Sequence, residues 1–128
     1  MTDASMIIVP KTVTTIGSLA FTRRSKLKKV QLPDGLDRIG RDAFSDCGAL
    51  EEVVIPASVM TIDPYAFASC DRLRKVTFLG TPKRLARTAF SDCDNLLSVI
   101  VPDGEQKAFR KLLHVTEDSD MLVLGNEQ

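Results

Sequence analysis

The chain has 128 residues, a length that suits a single domain. Apolar residues make up 44% of the sequence, which excludes a disordered tail and is enough to bury a core. Because 17 Lys and Arg residues balance 17 Asp and Glu residues, and because Trp is absent, the composition gives no basis for binding nucleic acid or an anionic membrane.

The N-terminal residues MTDASMIIVPK do not have the pattern of a signal peptide, because no basic region precedes an apolar run of about 7–15 residues. No stretch of the chain approaches the roughly 18 apolar residues of a membrane-spanning helix. We therefore predict no membrane insertion. The compartment stays open, since a domain excised from a longer protein would also lack a signal.

A 23-residue repeat dominates the sequence, and the other predictions depend on it. The dipeptide Ala-Phe recurs at this step, at Ala20–Phe21, Ala43–Phe44, Ala66–Phe67 and Ala89–Phe90. The same step relates three apolar columns, which are Leu27, Leu50, Leu73 and Leu96, then Val30, Val53, Val76 and Val99, then Ile16, Ile39, Ile62 and Leu85. Cys47, Cys70 and Cys93 share this step too, with Arg24 in place of a first cysteine. This phasing indicates about five copies of one structural unit.

Each unit is predicted to begin with a short strand. The segment V-x-[LIFV]-P alternates apolar and polar residues, as a half-buried strand does, and Pro ends the strand because it cannot donate a ladder hydrogen bond. A second short extended piece is predicted to end at the isoleucine column. The stretch from about Arg41 to Cys47 is predicted to form one helical turn with its apolar side chains facing inward.

One unit alone cannot bury its apolar face, so the repeat predicts a solenoid whose rungs lie about 4.8 Å apart and are joined by parallel strands. The first strand, at Ile7 and Val9, has only six residues before it. Two interpretations of this uncovered end stay open. Either the chain is a monomer with a truncated or abbreviated start, or the edge pairs with a second copy in a weak end-to-end dimer.

The C-terminal segment is predicted to cover the other end of the stack with a helix and a strand. Asp103 is expected to cap the helix, with Gln106 three residues later in a variant of the capping box. Leu122 and Leu124 stand one 23-residue period after two core residues of the preceding strand. We therefore expect these leucines to take the core positions of the last strand.

The repeat closely resembles the BspA-type leucine-rich repeats of bacterial and protist proteins. The likeness rests on the Pro after the strand, the Ile-Gly pair, the Ala-Phe pair and the Cys, and it covers about residues 7–102. The sequence departs from the pattern at Arg24 for Cys, Leu79 for Pro, and Asp63 and Ala86 for Gly. These departures imply local adjustment of a rung and not another fold.

The resemblance implies an α/β solenoid, a right-handed leucine-rich-repeat stack that forms one domain over residues 1–128. It places a short parallel sheet on one face, short helical turns on the other, and a C-terminal capping helix and strand over about residues 103–128. It also implies recognition of a protein partner, since the better-known members are surface proteins that look like adhesins.

The outward-facing residues of the strands are the candidate partner-binding residues. They are Lys29, Gln31, Glu52, Val54, Lys75, Thr77 and Ile100. Opposite charges that alternate up the sheet also steady a stack without any ligand, which is a purely structural explanation of the charged positions. Exposed apolar residues such as Ile8, Val54 and Ile100 are less easily explained in this way and favour a contact patch. A site on the loops or the convex face, or no site within this chain, stays open.

The three cysteines and the single histidine are not predicted to form a catalytic or metal site. An odd number of cysteines does not complete a disulfide framework, and the repeat places Cys47, Cys70 and Cys93 where thiols are buried and inert. Their redox state is left open. A dyad of Cys93 and His114 would need an exposed thiol, and no C-x-x-C spacing for a metal is present.

Two interpretations of function are compatible with these features. The first is a non-catalytic protein–protein interaction module that needs no cofactor, binds a protein partner of unknown identity and belongs to a bacterial surface or adhesin-like protein. The second is a structural spacer that forms the C-terminal rungs of a longer repeat array. Catalysis is not predicted, because the carboxylates are scattered and the glycines fit turns and not a phosphate-binding loop.

Overall fold

The structure, a computed structural model, describes residues 4–115 and 119–126. The chain winds through stacked rungs, and each complete rung contributes one strand to each of two faces. The front strands are β1 (Met6–Ile8), β3 (Lys29–Gln31), β5 (Glu52–Ile55), β7 (Lys75–Phe78), β9 (Ser98–Val101) and β10 (Leu122–Gly125). The rear strands are β2 (Thr15–Ile16), β4 (Arg38–Ile39), β6 (Thr61–Ile62) and β8 (Arg84–Leu85). One helix, α1 (Gln106–Leu112), lies between β9 and β10 along the chain.

All described strand pairs are parallel, and most are offset by one 23-residue repeat. Ile7 pairs with Val30, and Val53 with Val76, which pairs in turn with Val99. The four rear strands form one continuous sheet in the order β2-β4-β6-β8. The solenoid predicted from the repeat is therefore confirmed, together with its capping helix and last strand.

The interior is a set of apolar columns, and the phenylalanine column is its most regular part. The rings of Phe21, Phe44, Phe67 and Phe90 stack face to face, with centroids 5.2, 5.2 and 5.4 Å apart. Their planes differ by no more than 14°. This separation fits the spacing of neighbouring parallel strands, so the same translation that joins the backbones also stacks the rings. Phe44 and Phe67 are fully buried.

Polar atoms inside the turns are satisfied by the neighbouring rungs. The N–H of Phe44 donates to the carbonyl of Ala66 in the next rung at 2.7 Å. The thiol of Cys70 donates to the carbonyl of Phe44 in the preceding rung at 3.2 Å, and Cys47 and Cys93 make the same bond one rung away on either side. Each cysteine is thus hydrogen-bonded to the rung before it. A thiol suits this core position because it is largely apolar and can still donate a weak hydrogen bond.

The turns on the side opposite the front strands differ from the predicted helical turn. In the stretch from Arg41 to Cys47, Asp42 and Asp46 have positive φ angles of 56° and 58°, which a right-handed helical turn does not allow. The bond from the Ala43 N–H to the Gly40 carbonyl, at 3.2 Å, spans three residues, as in a β-turn. Successive β-turns satisfy the backbone between rungs, whereas a helical turn would direct these hydrogen bonds within one rung.

The helix α1 closes the C-terminal end, although its predicted cap is wrong. Its N-cap residue is Glu105, which makes no side-chain capping bond, and Gln106 is the first helical residue. Phe109 is fully buried, and its ring lies 4.8 Å from that of Phe78. The helix therefore extends the aromatic core over the last repeat. Among the described residues, no helix has the length and apolarity of a membrane span.

The last strand also departs from the prediction, by one residue of register. Val123 pairs with Val99 and is buried, so the repeat is 24 residues long here, and Leu122 and Leu124 are 55% and 43% exposed. A Cβ atom at Gly125 would lie only 2.6 Å from an oxygen of the Asp103 side chain. The residue opposite Val101 must therefore be small. Because a shift of one residue turns every side chain of a strand to the other face, Leu122 and Leu124 point outward and not into the core.

We expect Phe67→Ala to lower the free energy of unfolding by about 3–5 kcal/mol, because it removes a fully buried ring and two stacking contacts. Guanidinium denaturation followed by circular dichroism measures the change. Val54→Ala, on the exposed front of the same rung, is the control and should change it by less than about 0.5 kcal/mol. Equal stabilities of the wild type and Phe67→Ala would contradict the stacked core.

Candidate functional site

The front strands carry the seven predicted contact residues, and the structure divides them between two sheets. Five of them lie together on the sheet β10-β9-β7-β5, where Glu52 pairs with Lys75, and Thr77 pairs with Val54 and Ile100. Lys29 and Gln31 belong to the separate sheet β1-β3. Thr77 and Ile100 are half-buried, and the other five are exposed. Their role in binding remains a prediction.

The front face is interrupted between β3 and β5. These strands are neighbours in the stack, yet no strand ladder joins them, whereas β4 and β6 of the same two rungs remain paired in the rear sheet. An open cleft of about 460 Å³ lies at the interruption. We call it the front cleft; its lining residues are Lys28, Lys29, Val30, Glu51, Glu52, Val53 and Val54. It was not foreseen, because the repeat keeps its 23-residue phase across it.

The charges beside the front cleft form the predicted pairs between successive rungs only in part. A nitrogen of the Arg74 guanidinium lies 2.6 Å from a carboxylate oxygen of Glu52 and 3.9 Å from one of Glu51. Both carboxylates therefore pair with a cation of the following rung, and no ion pair to Lys29 is found among the described residues. These side chains are about half exposed, so such pairs contribute at most about 1 kcal/mol each. Stabilisation of the stack by opposite charges thus explains Glu51 and Glu52 better than it explains Lys29.

An apolar patch covers the C-terminal end of the front face. Leu97, just before β9, is 50% exposed, and its carbonyl accepts a hydrogen bond from the N–H of Leu122, which is exposed as is Leu124. Leu124 lies opposite Ile100, so the patch continues the outward column that contains Val54 and Thr77. The prediction missed both leucines of the last strand because it assigned them to the core. Gly125 could have indicated the shift in register, because the equivalent position of each other front rung has a larger residue.

The single histidine is exposed and lies away from the core. His114 lines a shallow depression of about 730 Å³ with Arg87, Lys111 and three apolar residues. The thiol of Cys93 instead donates to the carbonyl of Phe67, at 3.0 Å. Among the described residues, no hydrogen bond joins Cys93 to His114. The described residues also contain no group of three or more side chains placed to hold a metal ion.

The cysteines are buried free thiols in the described structure. Burial raises the pKa of Cys47. The neighbouring Cys93 side chain raises the pKa of Cys70, and burial adds to the effect. The neighbouring Cys70 side chain lowers the pKa of Cys93, although burial acts in the opposite direction. Cys93 is 9% exposed and the other two are fully buried, so its side chain is the most accessible of the three.

We predict that iodoacetamide alkylates Cys93 before Cys47 and Cys70 in the native protein, because its thiolate forms first and its side chain is the least covered. Peptide mass spectrometry of samples taken over time gives the order of labelling. Unfolding in guanidinium should make all three cysteines react at similar rates. Native labelling of Cys47 or Cys70 as fast as Cys93 would contradict the buried thiol column.

Comparison with solved structures places the chain among leucine-rich repeat proteins. It superimposes on a leucine-rich cell surface protein from Faecalibacterium prausnitzii with a TM-score of 0.71 at 17% identity, covering 88% of this chain and 36% of that one. It matches the Treponema pallidum leucine-rich repeat protein with a TM-score of 0.67 at 25% identity, and the match covers 98% of this chain and 71% of that one. The pneumococcal vaccine antigen PcpA gives 0.51 at 16% identity, covering 98% and 42%.

These structural neighbours establish the fold, and they carry less information about function. The chain spans only about a third of the length of the Faecalibacterium protein. No curated protein sequence matches it. The family described as BspA-type leucine-rich repeat region, however, matches six copies over residues 2–114, which is most of the chain. The 23-residue period, the stacked phenylalanines and this match together show that the chain belongs to the BspA-type leucine-rich repeat family.

Proposed function

We propose that the chain is a non-catalytic module that binds a protein partner through its front face. The observation that carries the proposal is the exposed apolar surface of Val54, Leu97, Leu122 and Leu124, arranged on a rigid sheet beside charged side chains. Isolated exposed apolar residues are common, but a set aligned on one face favours a contact surface. The repeats hold these side chains in fixed columns, which lowers the cost of ordering them on binding.

A role at a bacterial cell surface is the second part of the proposal. It is supported by the family match and by the likeness to the Faecalibacterium cell surface protein. Adhesin-like binding to a host protein is the form of this role that the resemblance favours. A spacer role within a longer array is the alternative. The small share of the Faecalibacterium protein that the chain covers favours it.

The test is affinity capture from bacterial and host extracts with a front-face variant. Lys29→Glu, Val54→Glu and Thr77→Glu together make the front more negative. Thr15→Glu, Ser18→Glu and Lys83→Glu change the net charge by the same amount at exposed positions away from the front strands, as a matched control. Circular dichroism must show that both variants remain folded.

We expect the wild type and the control to retain a common partner that the front-face variant loses, because buried unpaired carboxylates disfavour an apolar contact. Capture of that partner by the front-face variant at the wild-type level would contradict a front-face site. If neither the wild type nor the control retains any partner, the spacer alternative gains and the binding proposal fails.

A further inference from the structure

We propose that a depression on the rear of the C-terminal end binds a short acidic segment of a partner protein, with carboxylates at the rim and one apolar side chain on the floor. We call it the rear depression; its lining residues are Leu85, Arg87, Ala108, Lys111, Leu112 and His114. None of these belongs to a front strand, so the inference goes beyond the proposed function and does not depend on it.

The rear depression forms where α1 takes the place of a further rear strand. The rear sheet ends at β8, and Ala108, one 23-residue period after Leu85, belongs to the helix. A helix is wider than a strand and satisfies its own backbone, so α1 does not pair with the β8 edge. The result is an open space of about 730 Å³ beside Leu85. A side chain can enter this space without any strand entering the stack.

The floor of the rear depression is apolar. Ala108 and Leu112 are four residues apart on one face of α1, and Leu85 of β8 completes the floor. Hydroxyl groups of a sugar chain or polar base edges would find no hydrogen-bonding partner on these side chains, and burying them there is costly. The lining has no phenylalanine, tyrosine or tryptophan on which a base could stack. An apolar peptide side chain therefore suits the floor better than a glycan or a nucleic acid does.

The rim of the rear depression is cationic. Arg87 and Lys111 are exposed, and no ion pair is found for either among the described residues. Asp and Glu are absent from the lining of the depression. The dipole of α1 explains a cation in its last turn, such as Lys111, but not Arg87, which lies outside the helix. Two cations beside an apolar floor thus select an occupant that combines carboxylates with an apolar side chain.

A neighbouring hollow on the rear face adds more positive than negative charge. Its lining includes Lys83 and Arg84 together with Arg38 and one carboxylate, that of Asp63. A guanidinium nitrogen of Arg38 lies 2.9 Å from an oxygen of that carboxylate, so Asp63 is already paired. The surface around β8 therefore has an excess of cations, although the whole chain has no net charge. This excess attracts an anionic segment toward the rear depression, and salt should weaken the attraction.

The experiment uses isotope-labelled protein and three blocked synthetic peptides, Glu-Glu-Leu-Glu-Glu, Glu-Glu-Ser-Glu-Glu and Gln-Gln-Leu-Gln-Gln. We expect the first to shift the amide resonances of residues 84–87 and 108–114. The second lacks the apolar side chain and the third lacks the charges, so each should bind at least about tenfold more weakly, which corresponds to about 1.4 kcal/mol. Raising the salt concentration from about 0.05 M to 0.5 M should weaken the first peptide more than the third.

Two double variants test the rim. Arg87→Gln with Lys111→Gln removes its two cations, and Arg23→Gln with Lys11→Gln removes an exposed arginine and an exposed lysine from the other end of the stack as the matched control. Only the first should lose the leucine peptide. Ala108→Glu tests the floor at an exposed position of α1. It should abolish binding and leave the protein folded, because glutamate suits a helix and its charge repels the peptide.

Several results would overturn the inference. They are shifts confined to other parts of the chain, equal affinity of the rim variant and its control, and equal affinity of the leucine and serine peptides. Heparin fragments and single-stranded oligothymidylate serve as other anionic chains. Tighter binding of either than of the leucine peptide, at equal numbers of charges, would also overturn it, because the apolar floor would then not select a peptide.

The front-face variant separates this site from the proposed function. Lys29, Val54 and Thr77 do not line the rear depression, so their replacement by glutamate should leave the affinity for the leucine peptide unchanged. Loss of peptide binding in that folded variant would contradict a separate rear site. Retained peptide binding, together with loss of the captured partner, would support two independent contact surfaces.

Discussion

The stacking of identical residues at one-rung intervals is the constraint on which the rest of this structure depends. The phenylalanine rings, 5.2 Å apart, and the parallel strands share one translation, so a residue that suits one rung suits the next. Backbone groups in the turns find their partners in neighbouring rungs, and the cysteine thiols do the same. Since each rung contacts only its neighbours, stability accumulates along the stack and no rung is stable alone.

The repeat period makes the buried columns predictable from the sequence. It identified the strands, their parallel pairing and the burial of Phe44, Phe67 and the three cysteines. It failed where a rung leaves the period, as at Val123, because a capping helix replaces the usual turns and shifts the last strand by one residue. Local chemistry was also misjudged at Asp42, where inter-rung hydrogen bonding favours a β-turn with positive φ over a helical turn.

The candidate site was only partly predictable, because outward positions are not constrained by the core. The pattern identified which residues face outward, but it could not show that Glu52 would turn to Arg74 and leave Lys29 without that partner. The interruption between β3 and β5 does not alter the repeat length, so the period of the sequence does not predict it. The stability of this fold depends on the regularity of the repeat, whereas the candidate site lies where the front face departs from it.

The front face combines two such departures, the cleft near its N-terminal end and the apolar patch at its C-terminal end. The rear sheet is continuous across the same rungs. The front strands thus vary in their pairing, whereas the rear strands of the same rungs stay joined in one sheet.

Two internal deletions test whether the stability of the stack depends on the repeat period. Removal of residues 48–70 excises one whole repeat and joins Cys47 to Asp71, which restores the Cys-Asp sequence found at Cys70. Removal of residues 48–69 is one residue shorter and moves every later residue out of phase. Phase-dependent stacking predicts cooperative thermal unfolding for the first variant and its loss for the second. Similar melting of the two variants would contradict it, because stability would then not depend on the repeat period.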